Sequence, residues 1–204
     1  MKVMIKFFFI LLITLILPIN AFALIEVDIT RGNLNPLPLA VSPLSIDNKS
    51  KKSFEKILKK ENIGSEISII VENNLRTSGL FNPLSKDAFL QAPDIANLKP
   101  RFEDWNLIKA QALITGKVTY VNEKLRVEFR LWDILAGKEM MALAFTTVPD
   151  NWRRVGHIIS DKVYERLTGE KGYFDTRIIY VSEEGPKVQS CLLYTSDAAD
   201  DWSS

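Results

Sequence analysis

The chain contains almost no cysteine and almost no histidine. Its 204 residues include one cysteine, Cys191, and one histidine, His157. With a single cysteine the chain cannot form an internal disulfide, so its fold must be stable through the apolar core alone. A zinc site made of histidine and cysteine ligands is excluded too, because it would need a second histidine or further cysteines.

The chain also lacks an excess of either charge. It has 26 basic and 25 acidic residues, and residues 24–189 have 24 and 22. This balance gives no electrostatic case for binding nucleic acid or an anionic membrane surface. A lysine-rich segment around Phe54 to Lys60 is flanked by Glu55 and Glu61. We interpret this segment as a solvated face, with a binding patch as the alternative.

Motifs for catalysis are sparse. The glycines Gly64 and Gly116 are isolated and do not form a phosphate-binding loop. Ser160 and Asp161 follow His157 along one predicted helix, where the base cannot easily lie between a nucleophile and a carboxylate. We interpret His157 as a helix residue at the domain surface or an interface. We predict no enzyme activity, no catalytic residue, no metal site and no cofactor.

Long apolar runs are missing, apart from a short one at the amino terminus. Lys2 and Lys6 precede the run Phe7 to Leu17, and Ala21-Phe22-Ala23 follows it. A membrane-spanning helix would need about 20 apolar residues, so the run is too short for one. The pattern predicts a signal peptide cleaved between Ala23 and Leu24. A lipoprotein would need cysteine at Leu24. We therefore expect an exported, soluble protein.

Strand patterns occur early in the predicted mature chain. The segment "LIEVDIT", Leu24 to Thr30, alternates apolar and polar residues with a period of two. Gly32 and Pro36 then interrupt the pattern. The run Leu37 to Leu44 predicts a second strand with a buried face.

Two helices are predicted from apolar stripes. The first contains Ile63, Ile67, Ile70, Val71 and Leu75, and Gly79 follows as its stop. The second runs from about Trp152 to Leu167, with Asp150 or Asn151 as its N-cap and Gly169 as its stop. We also expect short helices around Phe54 to Lys60 and from Phe102 to Ile108, in otherwise loop-rich sequence. Core packing is the interpretation for three tryptophans: Trp105, Trp132 and Trp152.

The most regular stretch predicts three consecutive strands. They are Ala112 to Val121, Lys124 to Ile134 and Lys138 to Val148, joined by short turns. Such short connections force neighbouring strands to be antiparallel. The middle strand has one apolar face, formed by Leu125, Val127, Phe129 and Leu131, and one wet face, formed by Arg126, Glu128 and Arg130. We predict an α/β fold: a two-layer sandwich of a mixed sheet, with an antiparallel three-strand meander, and two packed helices.

Several ordered strings resemble a known family. They are "NNLRTSGLFNPL", "ITGKVTYV", "RLWDILAGKEM" and "VGHIISDKVYERLTGEKGYFDTRIIYVS". Together they are similar to the amino-terminal domain of the TolB family, the periplasmic component of the Tol–Pal system. In that family a six-bladed β-propeller follows the domain. The resemblance covers nearly all of residues 24–185 and implies a non-enzymatic protein.

The resemblance also implies partners. Family members link the inner-membrane TolA–TolQ–TolR complex to the lipoprotein Pal. They support outer-membrane invagination during cell division and envelope integrity, and some are exploited for colicin import. TolA binds the mature amino terminus, which corresponds here to Ile25, Glu26, Val27, Asp28, Ile29, Thr30 and Arg31. A strand there can add to the edge of a partner's sheet. The alternative is that this segment packs on its own domain.

These inferences divide the chain into five segments. Residues 1–23 are the signal peptide, 24–36 an amino-terminal arm, 37–172 the α/β domain, and 173–190 the start of a first propeller blade. Residues 191–204 resemble the translated end of a transposon used for sequencing libraries. We expect that last segment to be foreign to the gene and to have no consistent fold, and the propeller, with its Pal-binding surface, to be missing.

Two other functions remain open from the sequence. The segment from Ile114 to Glu139 also resembles envelope-lipoprotein assembly domains related to curli secretion. A truncated propeller peptidase is the third hypothesis, since such enzymes have blade strands like "RIIYVS". A G-x-S-x-G motif further along the gene would indicate the peptidase.

Overall fold

A computed structural model describes residues 35–183 and 191–197. The predicted signal peptide and all but the end of the predicted arm lie outside these residues. The strands are β1 (Leu37–Val41), β2 (Ser45–Ile46), β3 (Phe81–Pro83), β4 (Ala112–Val121), β5 (Lys124–Asp133), β6 (Lys138–Thr147), β7 (Arg177–Glu183) and β8 (Cys191–Asp197). The α-helices are α1 (Asn48–Leu58), α2 (Ile63–Thr77), α3 (Pro93–Leu98), α4 (Phe102–Leu107) and α5 (Trp152–Thr168). Among the described residues no helix is long and apolar enough to cross a membrane.

The main sheet is mixed, as predicted. Its strand order is β3-β1-β4-β5-β6, and the short β2 also pairs with β4. β1 runs parallel to both β3 and β4, whereas β4, β5 and β6 form the antiparallel meander. The β4–β5 turn places Asn122 and Glu123 at φ of 51° and 59°, which is the conformation that two-residue hairpins require.

One face of the sheet carries the main core. The apolar stripes of α2 and α5 pack against the buried face of β5, so the register predicted for that strand is confirmed. The side chains that meet there are Ile63, Ile67, Val71, Leu75, Val155, Ile159, Val163, Leu167, Leu125, Val127, Phe129 and Leu131. The expected glycines follow both helices: Gly79 lies two residues after the end of α2 and Gly169 directly after α5, with φ of 73° and 76°.

The opposite face of the sheet is not simply exposed to solvent, so the prediction of two layers was incomplete. A second, smaller core contains Ala40, Trp105, Ala110, Leu113 and Ile134. Trp105 is 1% exposed, and its indole N–H donates to Gln91 Oε1 at 3.0 Å. α4 carries Trp105 and was predicted, but α3 was missed. Pro93 suggested a loop there; proline fits the first turn of a helix, where its N–H is not needed.

Two other elements differ from the prediction by more than one residue. α1 begins at Asn48, well before Phe54, because Asp47 caps it: Asp47 Oδ1 accepts from Ser50 N at 2.9 Å. The predicted strand Leu37 to Leu44 stops at Val41, since the chain leaves the sheet before β2.

β7 and β8 form a separate two-stranded antiparallel sheet. The strand predicted from Arg177 is present. The expectation that the chain has no consistent fold after Cys191 is wrong for residues 191–197, which pair along the whole of β7. The sequence "CLLYT" favours a strand, and the edge of β7 offers it hydrogen bonds. The foreign origin of residues 191–204 stays a prediction.

Candidate functional site

The predicted partner-binding segment lies outside the described residues. This holds for Ile25, Glu26, Val27, Asp28, Ile29, Thr30 and Arg31, and for the cleavage residues Ala23 and Leu24. The structure does describe where the arm joins the domain. Asn35 and Pro36 are exposed, and the N–H of Leu37 donates to Leu80 O at 2.9 Å. The arm therefore enters the fold at the start of β1.

β1 is a firm attachment point. Leu39 and Ala40 are completely buried. Three further backbone hydrogen bonds add to the ladders: Leu84 N to Leu39 O, Gln111 N to Pro38 O and Ser42 N to Ile114 O, with lengths of 2.9, 3.0 and 2.9 Å. Because β1 lies between β3 and β4, the root of the arm is held from both sides.

His157 lies in the interface between α2 and α5. The imidazole is 3% exposed, and its Nδ1 is 2.9 Å from Asn74 Nδ2. The same amide nitrogen donates to Ser160 Oγ at 2.9 Å, and that hydroxyl donates to Gly156 O at 2.9 Å. The Ser160 proton is thus directed at a backbone carbonyl, away from the imidazole. These hydrogen bonds link the Asn74 amide, His157 Nδ1 and the Ser160 hydroxyl between two helices. His157 is therefore a helix residue, as predicted, but it is buried inside the domain and does not lie at the domain surface.

Asp161 binds the chain that follows α5. Its Oδ1 accepts from Phe174 N at 2.7 Å, and its Oδ2 accepts from Asp175 N at 3.1 Å. The guanidinium of Arg154 donates to both carboxylate oxygens of Asp175, with the shortest contact 3.0 Å from Nε to Oδ1. Charge-assisted hydrogen bonds of this kind are strong. The segment 172–175 is therefore fixed to α5; we call it the junction segment.

Aromatic packing completes the attachment. The Tyr164 ring contacts Tyr173 and Phe174 edge to face, at centroid distances of 5.5 and 5.8 Å. Burial, with smaller contributions from Tyr173 and Glu170, raises the pKa of Tyr164 above its usual value. A Cβ at Gly172 would lie 2.4 Å from the Cα of Asp161, so only glycine allows this approach. This site was not predicted from the sequence. Its signal was Asp161 and Tyr164, one turn apart on α5 and followed closely by two aromatic residues.

The remaining predicted residues have structural positions. Trp152 is buried in the main core, and Trp132 is half-buried against the second core. In residues 35–183 and 191–197, no group of three His, Cys, Asp or Glu side chains could hold a metal ion.

Comparison with known proteins identifies the family. The family model of the TolB amino-terminal domain matches residues 25–140. The chain is 83% identical over 186 residues to the Tol-Pal system protein TolB of Pelagibacter ubique (strain HTCC1062), an alignment that covers 91% of this chain and 41% of that protein. The chain thus spans about two fifths of this relative's length.

Solved structures include the same family. The crystal structure of TolB from Acinetobacter baumannii matches with a TM-score of 0.57 and 25% identity, covering 72% of this chain and 32% of that one. The LpoB C-terminal domain from Salmonella enterica is 11% identical, with a TM-score of 0.38, over 57% of this chain and 86% of that one; a score this low carries no argument about function. The family match, the identity to a curated relative and the TolB crystal structure agree with the resemblance in the sequence, and the chain belongs to the TolB family.

Proposed function

We propose that this chain is the amino-terminal part of a non-enzymatic component of the Tol–Pal system, exported to the periplasm. The observation that carries the proposal is the 83% identity to a Tol-Pal system protein over 91% of this chain. The predicted signal peptide at residues 1–23 supports export. Family membership favours this function over the curli-related assembly domain and the propeller peptidase.

Within that system, the proposed role of the arm is to bind TolA. Its residues 24–31 alternate apolar and polar side chains, as a strand added to a partner's sheet requires. The arm joins the domain at the exposed Asn35 and Pro36, so a partner can approach it without displacing core side chains. Pal would bind the propeller that follows in the full-length family proteins, with β7 as the first strand of the first blade. The protein would thereby link TolA to Pal during outer-membrane invagination, support envelope integrity and serve colicin import.

Deleting residues 24–31 tests the role of the arm. We expect the deletion to abolish capture of the protein by TolA in a pull-down and to leave the melting temperature nearly unchanged. The physical reason is that an arm ahead of β1 contributes little to the core. If the arm is instead a strand of its own domain, calorimetry will show a clear loss of stability. Unchanged TolA binding would contradict the proposal.

Two proline variants give a matched control for the binding mode. In a β-ladder the N–H groups of neighbouring residues point to opposite edges, so proline should block pairing at only one of two adjacent positions. We expect Val27→Pro and Asp28→Pro to differ, with one losing TolA binding. Equal binding by both variants would argue against strand addition.

A further inference from the structure

α1 carries a row of lysines directly opposite its buried side. The buried residues of this helix are Ser50 and Phe54. Lys49, Lys52 and Lys56 recur at three- and four-residue spacing, and all three are exposed. At about 100° per residue they lie on the side of the helix that faces away from the sheet. We call this row the lysine ridge; it extends over roughly 10 Å, at about 1.5 Å per residue.

The charge of the lysine ridge is not neutralised by nearby acids. Among the described residues, no carboxylate forms an ion pair with Lys49, Lys52 or Lys56. Elsewhere lysines do find carboxylates: Lys60 Nζ lies 3.6 Å from Glu66 Oε2, and Lys86 Nζ lies 3.2 Å from Glu72 Oε2. Glu55, the acid on α1, lies three residues after Lys52 and is a helical neighbour of the ridge, but it forms no ion pair with these lysines. The ridge is thus a row of ammonium groups that form no ion pair with a carboxylate of the described residues.

The nearly neutral net charge of the chain does not reveal this local excess of positive charge. Residues 48–60 contain six lysines and one glutamate. Residues 24–189 contain 24 basic and 22 acidic side chains, so without residues 48–60 they have 18 basic and 21 acidic. Six of these 24 basic residues thus lie in one 13-residue segment, which Asp47 and Glu61 flank, and the rest of residues 24–189 is slightly acidic. The nearly neutral overall charge therefore does not exclude attraction between α1 and an anionic surface.

Contacts between the buried side of α1 and β4 hold the lysine ridge in place. The hydroxyl of Ser50 accepts from Tyr120 N on β4 at 2.8 Å. Phe54 packs edge to face on the Tyr120 ring, with the centroids 5.4 Å apart. Ile57, beside the ridge, is 45% exposed. The lysines therefore project outward from a fixed helix as a convex row.

We propose that the lysine ridge binds the anionic headgroups of a phospholipid membrane surface. A convex row of ammonium groups cannot enter a pocket, but it can contact many phosphates at once on a planar surface. Each lysine close to an anionic bilayer adds an electrostatic attraction, and this attraction weakens as the salt concentration rises. Such binding is weak and reversible, and it would hold the domain near a membrane without any inserted segment.

Vesicle co-sedimentation of the purified protein that begins at Leu24, the expected mature terminus, tests the proposal. We expect binding to vesicles that contain phosphatidylglycerol, little binding to phosphatidylcholine alone, and loss of binding at high salt. The triple variant Lys49→Gln, Lys52→Gln, Lys56→Gln should bind at least about tenfold more weakly. The control changes three other exposed lysines: Lys99→Gln, Lys124→Gln, Lys171→Gln. It alters net charge equally and should retain binding.

Each other outcome overturns the proposal. Equal losses in the two triple variants would mean that net charge, rather than the ridge, attracts the protein. Binding of inorganic phosphate without binding to vesicles would indicate a phosphate site. Binding of polyglutamate without binding to vesicles would assign the ridge to an acidic polypeptide. Circular dichroism melting of all variants should match the parent chain, because the changed residues are exposed.

Discussion

At the scale of single residues, the neighbours Arg130 and Leu131 have opposite surroundings on β5. Leu131 is completely buried in the main core. Arg130 keeps a third of its side chain exposed, and its Nε lies 3.3 Å from Glu139 Oε2. Its Nη1 also donates to Asn97 O at 3.3 Å. Arg130 therefore does not simply face water, as the sequence suggested.

We expect Leu131→Ala to lower the free energy of unfolding by about 2–5 kcal/mol, because it leaves a cavity in a packed core. Arg130→Ala should lower it by about 1 kcal/mol or less, since it removes partly exposed polar contacts. Urea denaturation measures both. Equal losses for the two variants would mean that the faces of β5 are assigned wrongly.

The reason that glycine occupies position 116 could not be predicted from the sequence. The sequence placed Gly116 inside a strand, and β4 confirms that placement. It could not show why glycine stands there. A Cβ at this position would lie 2.4 Å from Glu128 O and 2.6 Å from Leu44 Cδ2. That constraint depends on how β5 and Leu44 approach β4, which periodicity along one segment does not report.

At the scale of elements, the start of α1 depends on an ionised cap. Hydrogen bonding from the backbone N–H of Ser50 is the main cause that holds the pKa of Asp47 below its usual value of 3.8, against the opposing effect of burial. Because the pKa is lower in the folded state, the cap stabilises fully above pH 3.8. That contribution is lost as the pH falls through the folded-state pKa.

The cap gives a pH-dependent prediction. Asp47→Ala should lower the free energy of unfolding by about 1 kcal/mol at neutral pH. The difference between the parent chain and this variant should shrink below pH 3.8. Asp47→Asn, which can still accept a hydrogen bond but does not titrate, is the matched control. Thermal unfolding over a pH series measures this, and a difference that stays constant into acid would contradict the role of the carboxylate.

The junction segment gives a second element-level prediction. Asp161→Ala should speed hydrogen exchange at the amides of Phe174 and Asp175 by about tenfold or more, since a hydrogen bond to a charged group contributes about 1.5–3 kcal/mol. Lys162→Ala changes the exposed neighbour and should leave those amides protected. Mass spectrometry measures the rate of hydrogen exchange at the two amides. Unaltered exchange after Asp161→Ala would mean that the aromatic contacts of Tyr164 hold the segment without the carboxylate.

Elements with strong periodicity were predictable, and those defined by a single contact were not. α2, α5 and the meander follow from stripes that local sequence displays. α3 has no stripe of its own, because it is only six residues long and begins at Pro93. The junction segment depends on Asp161 meeting backbone amides 13 and 14 residues away. Helical periodicity does not specify such a contact, although Asp161 and Tyr164 precede the aromatic residues Tyr173 and Phe174 in the sequence.

At the scale of the whole molecule, export makes a prediction about the amino terminus. Lys2, the apolar run Phe7 to Leu17 and Ala21-Phe22-Ala23 should direct cleavage after Ala23. Mass spectrometry of the periplasmic protein should therefore find Leu24 at the mature terminus. Ala23→Leu should retain the uncleaved chain, because the peptidase requires a small residue there. An intact Met1 in the parent protein would contradict the prediction.

The position of β1 has a mechanical consequence. The arm continues directly into β1, which is flanked by parallel neighbours on both sides. Tension on the arm would pull β1 along its own axis, so hydrogen bonds to β3 and β4 would resist in shear together and would not open one pair at a time. At the other end, Asp161 and Arg154 transfer the load from Asp175 into α5. We therefore expect the rate of forced unfolding to depend on β1 and the junction segment, because force applied between the two ends of the domain would act on their hydrogen bonds.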